Sequence, residues 1–376
     1  MILKNLNTAD FLNRYWQQQP AVLKQLIPDF EDSLDEHDLA GIAQENDADS
    51  RIVSRSNTGE WTTTSGPFED FNAVCVDQWS LLVQGVERYI ESIDDLFEHF
   101  AFLPYWRMDD VMVSYSTEGA GVGAHIDQYD VFLIQGKGQR RWQIGKPGEY
   151  KEDDNNGLRQ IQDFEPIIDV VTRAGDVIYI PPGWPHKGET IENSLTYSIG
   201  FRAPDTDQLV NVLHEALETT PSFNHRFSDP NRQSLSQPAI VTTKDTNKLK
   251  NMLVALVNNP DFDQHLLTML SDCYVLDTDQ AQTISLEDLQ LSLLEGVAIT
   301  RMEGIRPLYS EQQTDPAQFQ FHINGDRINC DAKIRDWIEP LLNNRSHTLQ
   351  LNNEDPVETL SKTLYPLINN GYYFID

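Results

Sequence analysis

The sequence predicts an α+β protein, with an antiparallel β region between about residues 110 and 202 and helical segments on either side. Short runs rich in valine, isoleucine, threonine and aromatic residues occupy that region: VMVSYS, HIDQYDVFLIQ, RRWQIG, DVIYIPP and LTYSIGF. Glycine and proline separate these runs, which is typical of short strands. Outside the region, apolar residues recur at helical spacing. A chain of 376 residues with 39% hydrophobic content is long enough for two or three domains.

The part before residue 110 is expected to be mainly helical. Residues 8–45 carry apolar side chains at helical spacing, interrupted at Pro20. A second amphipathic helix is expected from Ser80 to Phe100. Within the β region, the turn QGKGQ at residues 135–139 is expected to join two strands in a hairpin.

The part after Pro204 returns to the helical period. Two amphipathic helices are expected, DQLVNVLHEAL and NKLKNMLVALVNN, with a loop around SQPAIVTTKD between them. From about residue 280 the pattern predicts a smaller unit. Ser285 and Asp288 resemble a capping box before the helix LEDLQLSLLEG. The hairpin FQFHINGDRIN and the helices DAKIRDWIEPLL and PVETLSKTLYPLINN complete a winged-helix-like module.

The net charge of −31 comes from 59 acidic and 28 basic residues. Such a charge repels nucleic acids and anionic membranes and attracts a basic partner, although solubility alone is an alternative explanation. Residues 281–376 contain 14 acidic and 7 basic residues. A winged-helix-like module with that balance is expected to mediate interactions or support the structure, and no direct nucleic-acid binding is expected.

The sequence points to the cytoplasm. No apolar run approaches the roughly 20 residues that span a bilayer, so no membrane association is expected. The start MILKNLNTADFLNRYW lacks the organisation of a signal peptide. The cysteines Cys75, Cys273 and Cys330 are too far apart in sequence to predict a disulfide framework or a zinc cluster.

A possible metal site begins in the stretch GAHIDQYD, where His125 and Asp127 are two residues apart. On a strand this spacing places both side chains on one face, about 7 Å apart along the chain. The stretch AGDVIYIPPGWPHKGE offers a third ligand, His186, just after a break in a strand. Two imidazoles and one carboxylate form the facial triad of non-haem Fe(II) oxygenases, whereas zinc hydrolases more often use other sets. The alternative is that His186 only caps a loop.

Enzymes that use 2-oxoglutarate with such a triad also need a cation for its distal carboxylate. Arg140 and Arg141 open the strand RRWQIG, which the hairpin prediction places across from the His-x-Asp strand. Their side chains point to opposite faces, so only one of them can face inward. A planar guanidinium binds a carboxylate through two hydrogen bonds.

Taken together, HIDQYDVFLIQGKGQRRW and GDVIYIPPGWPH resemble the JmjC-type double-stranded β-helix (cupin) oxygenases. Within that family, the resemblance is to the bacterial ribosomal oxygenases, and it rests on the stretches FLNRYWQQQP, DQYDVF and YSIGFRAP. It covers nearly the whole chain. It implies a double-stranded β-helix (JmjC/cupin jelly roll), a helical dimerisation region and a C-terminal winged-helix-like domain. The implied domains are an N-terminal elaboration (1–95), the JmjC core (96–205), the dimerisation region (206–278) and the winged-helix-like domain (279–376).

The resemblance also implies roles for site residues. The triad matches the iron ligands of the family, and Arg140 matches the position that holds the distal carboxylate of 2-oxoglutarate. Several JmjC relatives have lysine there, whereas the bacterial subgroup has arginine. The position three before His125, often a hydroxyl donor to 2-oxoglutarate, is Val122 in this chain. Ser114 is the candidate that replaces it.

A substrate pocket is expected on the strand RMDDVMVSYS, where Asp110, Met112 and Ser114 alternate onto one face. Asp110 is expected to pair with a substrate guanidinium, while Met112 and Tyr129 hold the flat faces of that group. The matching positions of the bacterial arginine hydroxylases have these roles. The alternative is that Met112 belongs to the core and that Asp110 is a carboxylate at a loop end.

The implied activity is a protein hydroxylase that uses Fe(II), 2-oxoglutarate and O2 and releases succinate and CO2. The implied substrate is the β-carbon of an arginine in large-subunit ribosomal protein L-sixteen, and a homodimer is expected. Two alternatives change the target, to histidine hydroxylation in another ribosomal protein or to lysine demethylation. A third is a non-catalytic cupin-fold assembly protein.

Overall fold

The computed structural model describes residues 6–153, 160–162, 164–273, 282–313 and 315–376. The chain forms two compact units, Met1–Ala203 and Pro204–Asp376. The four domains implied by the resemblance stay predictions, and the boundary between residues 278 and 279 lies outside the described residues.

Strands of the first unit form two main antiparallel sheets in the described part of the chain. The larger has eight strands in the order β1-β12-β7-β14-β5-β4-β2-β3, and the smaller has four in the order β11-β8-β13-β6. β9 and β10 form a separate pair. The strands are β1 (Ala21–Leu23), β2 (Ser50–Arg55), β3 (Trp61–Ser65), β4 (Gln78–Val83), β5 (Met108–Ser116), β6 (His125–Ile126), β7 (Asp130–Gln135), β8 (Gln139–Ile144), β9 (Glu152–Asp153), β10 (Gln160–Ile161), β11 (Ile168–Arg173), β12 (Val177–Ile180), β13 (Pro185–Glu192) and β14 (Ser194–Phe201).

The two faces of the large sheet are buried in different clusters. Phe132 and Tyr179, on neighbouring strands, point into a core shared with the N-terminal segments. Leu133 and Ile178 point the other way, into a cluster that includes Trp142 of the small sheet. Strands β7 and β12 are therefore apolar on both faces, which explains why their sequences read as continuous apolar runs. This two-sheet arrangement is what a double-stranded β-helix requires.

The predicted hairpin at residues 135–139 is wrong. β7 belongs to the large sheet, whereas β8 pairs with β11 and β13 in the small one. The turn carries the chain from one sheet to the other, with Gly138 at a φ of +78°. Arg140 therefore does not lie across a hairpin from His125, because β13 separates β8 from β6.

The N-terminal helix predictions are only partly correct. Between residues 8 and 45 the structure has the helices α1 (Thr8–Arg14) and α2 (Glu36–Ile42), with β1 between them. The expected helix from Ser80 begins instead as the end of β4, in which residues 80–83 are all buried. A strand buried on both faces shows no alternation, so its pattern resembles that of a helix. After β4 the chain forms the short helix α4 (Glu91–Asp94) and three 3₁₀ helices. Another short helix, α3 (Phe71–Val74), lies before β4.

The second unit largely follows the predictions. Ser285 caps the expected helix, Gly296 ends it, and the Asn324-Gly325 turn joins two paired strands. The helix α7 was not predicted. The elements are α5 (Thr206–Thr219), α6 (Thr243–Val257), α7 (Pro260–Ser271), α8 (Leu286–Glu295), β15 (Val297–Arg301), β16 (Gln318–Ile323), β17 (Asp326–Asp331), α9 (Arg335–Asn343), β18 (Ser346–Leu349), α10 (Val357–Asn369) and β19 (Tyr373–Ile375). In the described residues, no helix combines the length and apolarity needed to cross a bilayer.

Candidate metal centre

Three potential metal ligands meet at the edge of the small sheet. His125 of β6 and His186 of β13 are direct cross-strand partners, with ring centroids 4.2 Å apart. Asp127 follows β6, and its Oδ2 lies 3.5 Å from His186 Nε2 and 3.9 Å from His125 Nε2. One candidate ligand atom from each residue lies within 4.8 Å of the others. The structure thus brings together the three residues that the sequence nominated.

Both imidazoles are oriented by backbone carbonyls. The Nδ1 of His125 lies 3.1 Å from the carbonyl oxygen of Gly123, and the Nδ1 of His186 lies 3.0 Å from that of Trp184. Because a carbonyl oxygen only accepts, each Nδ1 carries the proton and each Nε2 keeps its lone pair for a metal. Burial lowers the pKa of His186, and the neighbouring His125 lowers it further. The neutral form, which binds metals, is therefore favoured.

A cavity of about 520 Å³ extends from these residues between the two sheets. At its closed end the Arg140 side chain is only 3% exposed. Its Nη1 donates to Ser114 Oγ and Thr196 Oγ1, both at 3.4 Å, and its guanidinium carbon lies 5.0 Å from the centre of the Trp142 ring. In the described part of the chain, Arg140 Nε has no hydrogen-bond partner.

The environment of Arg140 is suited to an anion. Burial lowers the pKa of its guanidinium to about 10, so the group stays positively charged at neutral pH. A buried cation without a counter-ion is unfavourable, and a bound carboxylate would relieve that cost. The adjacent Arg141 points outward and forms a two-bond pair with Asp169, at 2.6 and 2.7 Å. Of the two arginines, only Arg140 therefore faces the cavity.

Gly188 of β13 leaves room for this arrangement. A Cβ atom placed there would lie 2.7 Å from Arg140 Nε and 2.8 Å from the Trp142 ring. Any larger residue would force the guanidinium or the Trp142 ring to shift. Gly188, Thr196 and Trp142 could not be nominated from the sequence, because their proximity to Arg140 depends on strand pairing across the molecule.

Of the three residues expected to contact substrate, two line the cavity and one does not. Met112 and Tyr129 line the cavity, and Tyr129 is 40% exposed. Asp110 is not part of the lining. It lies two residues before Met112 on β5, and its carboxylate accepts a hydrogen bond from the Gly85 backbone. The register of β5 with β14 shifts next to Asp110 and interrupts the regular alternation, and the Asp110 side chain lies outside the cavity lining.

Burial and neighbouring charges shift the pKa values of the groups around Asp110. Burial and the nearby Asp109 carboxylate raise the pKa of Asp110 to about 6, although Arg88 opposes the shift. Burial raises the pKa of Glu87 to about 7, and its carboxylate accepts from the Val111 backbone at 2.8 Å. The pKa of Tyr129 is also raised, by partial burial and then by Asp127, so its phenol stays neutral.

Comparisons with known proteins agree with this geometry. Family models match residues 95–209 as a JmjC domain and residues 248–374 as a ROXA-like winged helix. The ribosomal protein uL16 3-hydroxylase of Escherichia coli is 37% identical over 377 residues, covering 99% of this chain and 98% of the relative.

Solved structures are similar along the same length. A ribosomal oxygenase from Escherichia coli in complex with cobalt and 2-oxoglutarate superimposes with a TM-score of 0.87 and 35% identity, covering 99% of both chains. The same protein with cobalt and succinic acid gives a TM-score of 0.87 and 36% identity, again over 99% of both. The predicted fold class, a double-stranded β-helix followed by a winged-helix-like domain, is confirmed.

Proposed function

The chain belongs to the JmjC ribosomal oxygenases, and we propose from this that it is a 2-oxoglutarate-dependent hydroxylase of large-subunit ribosomal protein uL16 (L-sixteen). One observation carries the chemistry: a two-histidine, one-carboxylate cluster shares a single cavity with a buried arginine that has no acidic partner among the described residues. The similarity to the uL16 3-hydroxylase extends over nearly the full length of both chains, which supports the same substrate.

The metal in this proposal is Fe(II), held by His125, Asp127 and His186. Two neutral imidazole nitrogens and one carboxylate on one side of an ion suit Fe(II) and leave positions for a co-substrate. When bound, Fe(II) with 2-oxoglutarate and O2 supplies the oxidation: 2-oxoglutarate loses CO2 to become succinate, and one oxygen atom enters a C–H bond of the substrate. The protein's contribution is to orient the ligands and enclose the site.

Arg140 is proposed to bind the distal carboxylate of 2-oxoglutarate. Its guanidinium already donates to Ser114 and Thr196, which fix its direction, and its free Nε offers a further donor. Ser114 would also donate its hydroxyl to the same carboxylate, which fits its predicted role. Because these groups are buried, their hydrogen bonds to a carboxylate are strengthened by the exclusion of water.

The proposed target is the β-carbon of an arginine. Met112 and the neutral ring of Tyr129 would hold the flat faces of the guanidinium, and the Asp110 carboxylate would pair with it. Asp110 lies beside the cavity, so a long side chain is needed to reach it, which favours arginine over histidine. The net charge of −31 also favours encounter with a basic ribosomal protein.

We also propose that the protein is a cytoplasmic homodimer. Apolar side chains are exposed on α5 and α6, and a second copy of the helical region would cover them: Leu209, Val210, Leu249, Leu253 and Val254. Light scattering should give twice the chain mass, and Leu253→Glu should shift the protein towards monomer. A wild-type chain that stays monomeric at high concentration would contradict the dimer.

The substrate is tested by incubating the protein with Fe(II), 2-oxoglutarate and recombinant uL16. Mass spectrometry should show the gain of one oxygen atom, and fragmentation should place it on the β-carbon of an arginine. Oxygen on a histidine would support the alternative target. Succinate formation without any modification of uL16 would show that the substrate assignment is wrong.

A further inference from the structure

We propose that Arg51 is a specificity-determining residue that binds an oxygen acceptor of the substrate chain next to the hydroxylated residue. The inference rests on the proposed function and extends it to a residue that no sequence motif singles out. Arg51 lies on β2, more than 70 residues before the JmjC-like motif that begins at His125, yet its side chain lines the catalytic cavity.

Strand pairing explains how Arg51 reaches the cavity. Arg51 is the cross-strand partner of Leu82, Leu82 of Ser114, and Ser114 of Thr196. Direct partners point to the same side of a sheet, so these four side chains form one row across four strands. All four line the cavity. Neighbouring strands are about 4.8 Å apart, which puts Arg51 about 10 Å from Ser114 along the sheet.

Arg51 is the one charged residue in the described lining of the cavity that has no role in the proposed function. Among its lining residues, the charged side chains other than the histidines are Arg51, Asp127 and Arg140. Asp127 belongs to the metal cluster, and Arg140 is assigned to 2-oxoglutarate. Within the described residues, the Arg51 guanidinium makes no hydrogen bond or ion pair, whereas Arg55 on the same strand stacks on Trp61 at 5.3 Å.

An unpaired guanidinium in a cavity is matched by an oxygen acceptor, either a carboxylate or a carbonyl. The proposed position of 2-oxoglutarate, between the triad and Arg140, leaves neither of its carboxylates for Arg51. Arg51 and Tyr129 both line this cavity. A peptide segment whose target side chain passes Tyr129 would therefore place its own backbone or a neighbouring side chain next to Arg51.

The test compares Arg51→Ala, Arg51→Lys and the matched control Arg55→Ala in the full chain, with uL16 as substrate. For Arg51→Ala, the loss of one charge-assisted hydrogen bond at a half-buried site should raise the KM for uL16 on the order of tenfold. The KM for 2-oxoglutarate should not change. Arg51→Lys keeps the charge without the planar fork and should fall between, and Arg55→Ala should behave as wild type.

Substituted substrates identify the acceptor. Each Asp or Glu of uL16 near the modified residue is changed to Asn or Gln and assayed with wild type and Arg51→Ala. If one substitution raises KM only with the wild-type enzyme, the acceptor is that carboxylate; if none does, it is a main-chain carbonyl. An Arg51→Ala KM equal to that of Arg55→Ala would overturn this inference alone. Absence of wild-type hydroxylation would overturn the proposed function as well.

Discussion

The two ends of the cavity are built differently. At the closed end, Arg140, Ser114 and Thr196 come from the interiors of three strands, and none is more than 4% exposed. At the open end, Tyr129 comes from the segment between β6 and β7 and is 40% exposed, and Arg51 is half-buried. A small co-substrate can be enclosed by strand side chains, whereas a folded protein substrate must reach the site from an open edge. Substitutions at the two ends should therefore affect different kinetic constants.

The largest effect is expected where the two ends meet, at the metal cluster. Asp127→Ala removes the only carboxylate of the triad, so metal affinity and succinate formation should both fall, the latter by roughly 1,000-fold. Calorimetry with Co(II) measures the first and a succinate assay the second. Glu189→Gln, on β13 near His186 but exposed, is the control and should bind metal normally. Full activity in Asp127→Ala would contradict the metal assignment.

The closed end should control the co-substrate alone. Arg140→Ala removes the buried cation, and the KM for 2-oxoglutarate should rise on the order of 100-fold, while the affinity for uL16 stays unchanged. Steady-state kinetics at varied 2-oxoglutarate gives the comparison. Arg141→Ala is a matched control because it changes the next residue on the opposite, exposed face. Equal effects of the two substitutions would show that the cavity does not bind 2-oxoglutarate through Arg140.

The open end should control the protein substrate and respond to pH. Only ionised Asp110 attracts a guanidinium, and its pKa is about 6, so the KM for uL16 should rise as pH falls through about 6. Asp110→Asn should raise this KM roughly thirtyfold at neutral pH and remove this part of the pH dependence. The ratio of the KM values for uL16 of Asp110→Asn and wild type, taken at each pH, cancels the titration of other groups. If the KM values of the two proteins change with pH in the same way, Asp110 does not take part in substrate binding.

A smaller effect concerns stability beneath the open end. Glu87 has a folded pKa of about 7, above its ordinary value, so the folded state binds its proton more tightly than the unfolded state. Its contribution favours folding at low pH and is lost as pH rises from about 4.5 towards 7. Glu87→Gln should therefore increase the free energy of unfolding at neutral pH by about 1 kcal/mol. Urea unfolding at two pH values measures the difference, which should disappear near pH 4.5; a persisting difference would point to packing instead.

The metal cluster was predictable from the sequence because its signals are local. His125 and Asp127 are two residues apart, and His186 follows a strand that Gly and Pro delimit on both sides. Arg140 was chosen over Arg141 by the resemblance to the family, and the hairpin used to place both residues does not exist. The pairing of strands depends on contacts between distant residues, so a local pattern identifies a strand without assigning it to a sheet.

The residues that sequence reasoning missed share one property: their positions depend on register. Thr196 and Arg51 line the cavity because strand pairing places their side chains in one row with that of Ser114. β1 is three residues long and pairs with β12, more than 150 residues away. Nothing in the three residues of β1 distinguishes them from a loop, since their pairing is decided by the partner strand.

The direct pairing of His125 with His186 has a consequence for folding. β6 is only two residues long and forms an edge of the small sheet, so few backbone hydrogen bonds hold it. A slip of one residue would turn His125 to the other face and separate the two imidazoles. A metal ion bound by both histidines would stabilise only the correct alignment, because it binds the native state and not the slipped one. Metal binding would then select the correct pairing of β6 with β13. Chains folded without metal should exchange the amide hydrogens of β6 faster than metal-loaded ones.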